Sequence, residues 1–221
     1  MKGVIQYGDM SKTDQLIDAM TSQADISVIS FKDMLISEKK NYNTYSIWGD
    51  ATHWSQRGAY LSYVQMMGTI NEDSGASYRV LDESEYDITV EDAGSTMFGG
   101  IHEEDYEESF VISNPNAYQT DEEPLYLSEW QLKSRRIYVN DDAGNNDTIL
   151  IMGDSYIDNF IVDDIAESFA RTVLIWSSYT EHLPEIVEYY RPRIVIYENA
   201  ERNEMYDAII DLAAGITGGI I

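Results

Sequence analysis

ILIMGDSYIDNF, residues 149–160, is an unbroken apolar run that stops at Gly-Asp-Ser and then resumes with apolar residues at helical spacing. A short apolar run bounded by a turn reads as a strand buried on both faces, and the recurrence after it as a helix. Strand, turn and helix in that order carry a side chain to the carboxyl edge of a sheet, where open α/β folds keep their sites. Ser155 is therefore either a nucleophile at a strand end or one more hydroxyl in a turn, with Asp154 ordering that turn. The choice depends on a base and an orienting acid elsewhere in the chain.

The pattern continues on the carboxyl side. Strand 148–152 leads to helix 158–169, strand 171–176 (RTVLIW) to helix 181–190, and strand 193–197 (RIVIY) to helix 203–213. This alternation predicts an α/β fold with a central parallel sheet covered on both faces. On the amino side, residues 11–24 place Leu16, Ile17 and Met20 on one helical face, with Ser11 or Thr13 as cap. ISVISF (26–31) is a short strand candidate and KDMLISEKK a helical turn. Residues 57–67 read as a helix with Tyr60, Leu61, Val64 and Met67 inward and Ser55 as N-cap. Between 71 and 147 the character changes: short β-like runs (SYRVL, YDITV, SFVIS, RRIYV) alternate with acidic and Asn/Gly-rich turns. We read this region as a β-rich insertion or elaborated loop region within a single domain, 1–221.

Forty acidic against 14 basic residues give a formal charge of −26, which repels nucleic-acid phosphates and anionic lipid and excludes those partners. A hydrophobic content of 43% with 17 Tyr still supplies a core. The absence of cysteine removes disulfides, thiolate metal sites and a Cys nucleophile. The amino-terminal residues lack the apolar segment of a signal peptide. The apolar stretch from Ala208 to Ile221 is too short to span a bilayer and contains Asp211, so no direct membrane insertion is expected. The acidic clusters at 103–108 and 121–123 read as solvated faces, with a hard cation such as calcium as the other reading. No metal site and no cofactor is assigned.

Three histidines limit the choice of base. His102 lies in a Gly-rich, acidic loop and His182 in the first turn of a helix. His53 lies in WGDATHWSQRGAY, with Asp50 three residues before it and Trp54 directly after. A serine hydroxyl needs a base to accept its proton, and that base needs an acceptor on its other nitrogen to fix the tautomer. Asp-x-x-His can supply both from one bend. On spacing alone, Asp50 capping a turn and His53 packing against Trp54 stands beside the catalytic reading.

YSIWGDATHWSQRGAYLSYVQMM resembles the Asp-Thr-His-Trp…Gly-Ala-Tyr block of AlgX/AlgJ-like proteins, the SGNH-hydrolase-like domains of alginate O-acetyltransferases, and of the related DHHW family. SKTDQLIDAM, ILIMGDSY and YYRPRIVIYENAERN resemble further blocks of that family in the same order. The resemblance implies an SGNH-hydrolase-like, flavodoxin-like three-layer fold with Ser155 as nucleophile, His53 as general base and Asp50 as orienting acid. In most relatives the acid stands two residues before the histidine; here that position is Ala51, and Asp50 stands three before. Relatives also carry an earlier strand and a secretion signal, so the chain is read as a fragment or shortened form.

The resemblance implies transfer of an acetyl group through acetyl-Ser155 to a cell-surface or secreted polysaccharide. The partners are a carbohydrate polymer and an acetyl donor, with a membrane O-acyltransferase as one source of the acetyl group, in an extracytoplasmic setting. The oxyanion would be held by the Ser155 N–H and the turn after it. Trp54 is a packing residue or a sugar contact; Arg202 is a substrate contact or, with Glu198, an internal ion pair. A plain carbohydrate acetylesterase and a non-catalytic carbohydrate-binding or assembly protein on the same fold are the alternatives.

Overall fold

The computed structural model describes residues 10–23, 26–45, 52–92, 106–120, 136–176 and 182–200. The chain forms two compact units, one of residues 30–199 and one of residues 1–29 with 200–221. In the smaller unit, helix α1 (Lys12–Gln23) begins where Ser11 and Asp14 cap one another. The Ser11 Oγ accepts the Asp14 N–H at 3.0 Å and the Asp14 carboxylate accepts the Ser11 N–H at 3.1 Å. Residues 26–31 adopt no regular structure, which corrects the strand expected of ISVISF. Apolar alternation makes a strand only where a neighbouring strand can pair with it.

The larger unit opens with α2 (Lys32–Glu38) and the long α3 (Gln56–Ser74). Ser55 caps α3 as expected, its side chain accepting the Gly58 N–H, and Gly75 ends the helix in the left-handed region at φ 64°. The buried face of α3 carries Ala59, Tyr63, Met66, Met67 and Ile70, whereas Val64 is exposed. The apolar stripe is therefore rotated from the predicted one, because small Ala59 and Ser62 lie inside as well. A 3₁₀ turn, Glu83–Glu85, leads to a separate antiparallel pair, β1 (Tyr86–Asp92) and β2 (Tyr106–Ile112), with Tyr86 opposite Ile112.

The main sheet contains β3 (Tyr118–Gln119), β4 (Arg136–Val139), β5 (Thr148–Gly153), β6 (Arg171–Trp176) and β7 (Ile194–Tyr197), in the order β3-β4-β6-β5-β7. β5 runs parallel to both β6 and β7, and Ile149, Leu150, Ile151 and Met152 are fully buried. β4 pairs antiparallel with β6, so the sheet is mixed and not wholly parallel as predicted. Residues 140–147, between β4 and β5, are too few for a parallel crossover, and the chain reverses direction there.

Helix 158–169 is also corrected. It is two short helices, α4 (Ser155–Asp158) and α5 (Val162–Ala166), broken where Phe160 donates to the Ile157 carbonyl three residues back. The apolar spacing survives the break, since Ile157, Ile161, Val162, Ile165 and Phe169 are all buried. α6 (Leu183–Tyr190) lies between β6 and β7 and carries Pro184 in its first turn. Helix 203–213 lies outside the described residues.

Chain direction gives β5 a particular place. From β5 the chain moves to β6 on one side, then returns to β7 on the other. The carboxyl end of β5 is thus a topological switch point, where the loops leaving the strands diverge and open a crevice. Ser155 follows that end by two residues.

Candidate active site

β5 ends at Gly153, and the next two residues set the nucleophile turn. Asp154 is extended, with φ −104° and ψ −162°, and its side chain accepts the Tyr156 N–H at 2.8 Å. This cap makes Ser155, not Asp158, the first residue of the helix after the strand. Gly153 is buried, and a Cβ there would lie 3.3 Å from the Ile157 Cβ and 3.4 Å from the Glu198 Oε2. Glycine lets the strand end pass close to both. Among the described residues the Ser155 N–H is given to no acceptor, whereas the Tyr156 N–H is occupied by Asp154.

His53 arrives from the segment ahead of α3. Its Nε2 lies 2.7 Å from the Ser155 Oγ, and its Nδ1 lies 2.8 Å from the Thr52 Oγ1. With the ring proton on Nδ1, Thr52 accepts that proton's hydrogen bond and Nε2 accepts from the serine hydroxyl. This is the tautomer a general base requires. The ring packs against Tyr156 and Phe160, with centroids 4.9 and 5.4 Å away. The segment is held by Ser55, which donates to the Asn43 carbonyl through its hydroxyl and to the Thr44 carbonyl through its N–H. Gly58 is needed there, because a Cβ would strike the Thr44 carbonyl.

Behind the nucleophile turn stands Glu198, immediately after β7. Its Oε2 accepts the Asp154 N–H at 2.9 Å, and its side chain also meets the Asp154 side chain. Glu198 is only part-buried as a residue, but its carboxyl group is withdrawn from water. Burial first, and the Asp154 charge second, raise that carboxyl to about 8.

Of the site residues read from the sequence, Ser155 and His53 are brought into hydrogen-bond contact across 102 positions of chain. Trp54 is 6% exposed and meets Tyr156 and Phe31 edge to face, at 5.1 and 6.0 Å. Asp50 and Arg202 lie outside the described residues, as does His102. His182 stands at the start of α6, 3.1 Å from Glu185. Thr52, Tyr156 and Phe160 were not singled out in the sequence. Tyr156 and Phe160 had a signal available, being aromatics one and five residues after the serine at helical spacing; Thr52 had none beyond adjacency to the histidine.

The geometry defines a class: an α/β protein with a serine–histidine pair at the switch point of a mixed sheet. No protein-family model matches the sequence, and no curated protein matches it. Solved structures do match. PatB1 of Bacillus cereus superposes with a TM-score of 0.63 at 16% identity, over 91% of this chain and 79% of that one. The structure of PatB1 with a sulfonyl adduct gives the same score and identity over 89% and 77%. A DHHW family protein from Eubacterium siraeum superposes at 0.57 with 13% identity, over 89% and 73%. At such identities the likeness is one of fold. No helix among the described residues is long and apolar enough to cross a membrane.

Proposed function

We propose that the chain is a serine-dependent O-acetyltransferase with an SGNH-hydrolase-like three-layer fold, acting on a cell-surface or secreted polysaccharide. The observation that carries this reading is the 2.7 Å contact between His53 Nε2 and Ser155 Oγ at the end of β5. Likeness of fold to PatB1 and to a DHHW family protein supports it, as does the order of the sequence blocks.

In the first half-reaction the Ser155 hydroxyl gives its proton to His53 Nε2 while its oxygen attacks the carbonyl carbon of an acetyl ester. The tetrahedral oxyanion lies against the Ser155 N–H. As the intermediate collapses, the donor oxygen leaves with the proton from His53, and acetyl-Ser155 remains. In the second half a sugar hydroxyl gives its proton to His53, attacks the acetyl carbon, and departs as the new ester with the serine restored. Water in place of the sugar makes the same site an acetylesterase. Thr52, and Asp50 by the family resemblance, would hold the imidazole; Trp54 packs behind it, and Arg202 is assigned to the polymer. A membrane O-acyltransferase is the partner that would deliver the acetyl group in an extracytoplasmic setting.

The test is reaction with a serine-directed phosphonate, location of the adduct by mass spectrometry, and turnover of an acetyl-ester reporter with and without an oligosaccharide acceptor. The adduct is expected on Ser155, and Ser155→Ala and His53→Ala should each lower turnover by about a hundredfold or more. Turnover unaffected by both substitutions rules the mechanism out. Acetyl appearing on the oligosaccharide separates transfer from hydrolysis.

A further inference from the structure

The nucleophile turn rests on a pair of carboxyl groups that the serine–histidine chemistry does not itself use. Asp154 spends one oxygen on the Tyr156 N–H, which starts α4 at Ser155. Glu198 takes the Asp154 N–H at 2.9 Å, and its side chain meets the Asp154 side chain. Asp154 is 3% exposed. Two carboxylates in contact within so little water cannot both be ionised without strong repulsion, and the economical arrangement is one shared proton.

We propose that Glu198 is a positioning residue for Ser155: as a neutral acid it donates its O–H to the Asp154 carboxylate while accepting the Asp154 N–H, clamping the turn that carries the nucleophile. The inference rests on Ser155 being the nucleophile. The clamp joins the ends of two parallel neighbours, β5 and β7, on either side of the switch point. Gly153 leaves room for it, because the position of its missing Cβ is 3.4 Å from the Glu198 Oε2.

Among the described residues, Asp154 is the charged group facing Glu198 from the turn after β5. Tyr197 precedes it on β7, its hydroxyl raised by burial and then by the Glu198 and Asp154 charges. Glu198, raised to about 8, stays protonated at neutral pH and ionises on the alkaline side. Ionisation replaces an O–H···O bond with two adjoining negative charges, and the turn must then open. A glutamine reproduces both bonds, its N–H donating to Asp154 and its oxygen accepting the Asp154 N–H, but it cannot ionise.

The experiment compares the whole chain as wild type, Glu198→Gln and Glu198→Ala in the rate of Ser155 labelling by a fluorophosphonate from neutral to alkaline pH, and in thermal unfolding from mildly acidic to alkaline pH. Wild-type labelling should peak and then fall by about tenfold per pH unit above the Glu198 titration. Glu198→Gln should lack that fall, and Glu198→Ala should label slowly at every pH. In unfolding, the wild type should lose stability relative to Glu198→Gln between about pH 5 and about pH 8, where the folded acid keeps a proton that the unfolded one has released, and the difference should level off above that. Parallel pH profiles for wild type and Glu198→Gln overturn the inference while leaving Ser155 as nucleophile. A Glu198→Gln chain that fails to fold at neutral pH also counts against it, because the amide supplies both bonds. A wild type that never labels at Ser155 sinks the catalytic reading, and this role with it.

Discussion

The Tyr156 hydroxyl donates to the Thr52 carbonyl at 2.7 Å, so the residue after the nucleophile is tied to the residue before the base. The two halves of the site come from segments about a hundred residues apart, and this bond fixes their separation independently of the Ser155–His53 contact. Tyr156→Phe keeps the ring against His53 and removes only the tie. It should cost about 1 kcal/mol in stability, as for one hydrogen bond, and slow phosphonate labelling of Ser155 by about five- to tenfold. A variant that labels as fast as the wild type means that the separation is set elsewhere.

Thr52 offers His53 Nδ1 an oxygen at 2.8 Å. Thr52→Val preserves shape but removes that acceptor, and should slow labelling by about tenfold, whereas Thr52→Ser should stay within about twofold of the wild type. The informative comparison is valine against serine in the same assay. Equal rates for the two would leave another group in charge of the imidazole.

Much of this was legible in the sequence for a simple reason: TILIMG and RTVLIW are buried on both sides, so each reads as a strand without knowledge of its neighbours. Ser55 ahead of Gln56–Ser74 was likewise a local signal, a side-chain cap three residues from its donor. What failed was non-local. RRIYV was assigned to the insertion, yet it joins the main sheet beside RTVLIW through a pairing that no local pattern encodes. Helix 158–169 kept its apolar spacing but not its backbone, because burial of Ile157, Ile161 and Ile165 is satisfied across a break as well as along a helix. A turn motif and a shortage of histidines made Ser155 and His53 candidates, and the family resemblance implied their pairing. Glu198 beneath Asp154, 44 positions away, left no trace that spacing could reveal.

Arg57, in the first turn of α3, is 4% exposed and lies between the rings of Tyr42 and Phe110, 4.5 and 4.6 Å from their centroids. A cation at a helix amino end opposes the helix dipole, so its place must come from partners. It bonds Glu108 twice, at 2.8 and 2.7 Å, and Glu83 once, at 2.9 Å, and these carboxylates raise the guanidinium further above its already high range. Arg57→Met should destabilise the fold by about 3 kcal/mol in denaturant unfolding, mostly by leaving the half-buried Glu108 without its cation. Adding Glu108→Gln to Arg57→Met should recover part of the loss. No recovery in the double variant would place the cost in lost ring packing instead.

Asp164 gives a pH test remote from the serine. It lies on α5 at 7% exposure, and burial foremost, then the charges of Asp163 and Glu167, raise its carboxyl to about 7 against a partial offset from Tyr86. In the unfolded chain it titrates near the ordinary aspartate value of about 4. Between those values the folded state holds a proton that the unfolded state has released, so stability falls as pH rises. Its contribution is complete below about pH 4 and is lost by the time pH passes about 7. Asp164→Asn keeps the polar shape and removes the titration. Thermal unfolding at about pH 5 and about pH 8 should therefore show a smaller decline in the variant than in the wild type. The comparison cancels the general repulsion of a chain with a formal charge of −26, which acts on both proteins almost equally. Equal declines would mean that Asp164 is ionised in the folded protein throughout that range, with its charge met by the groups around α5.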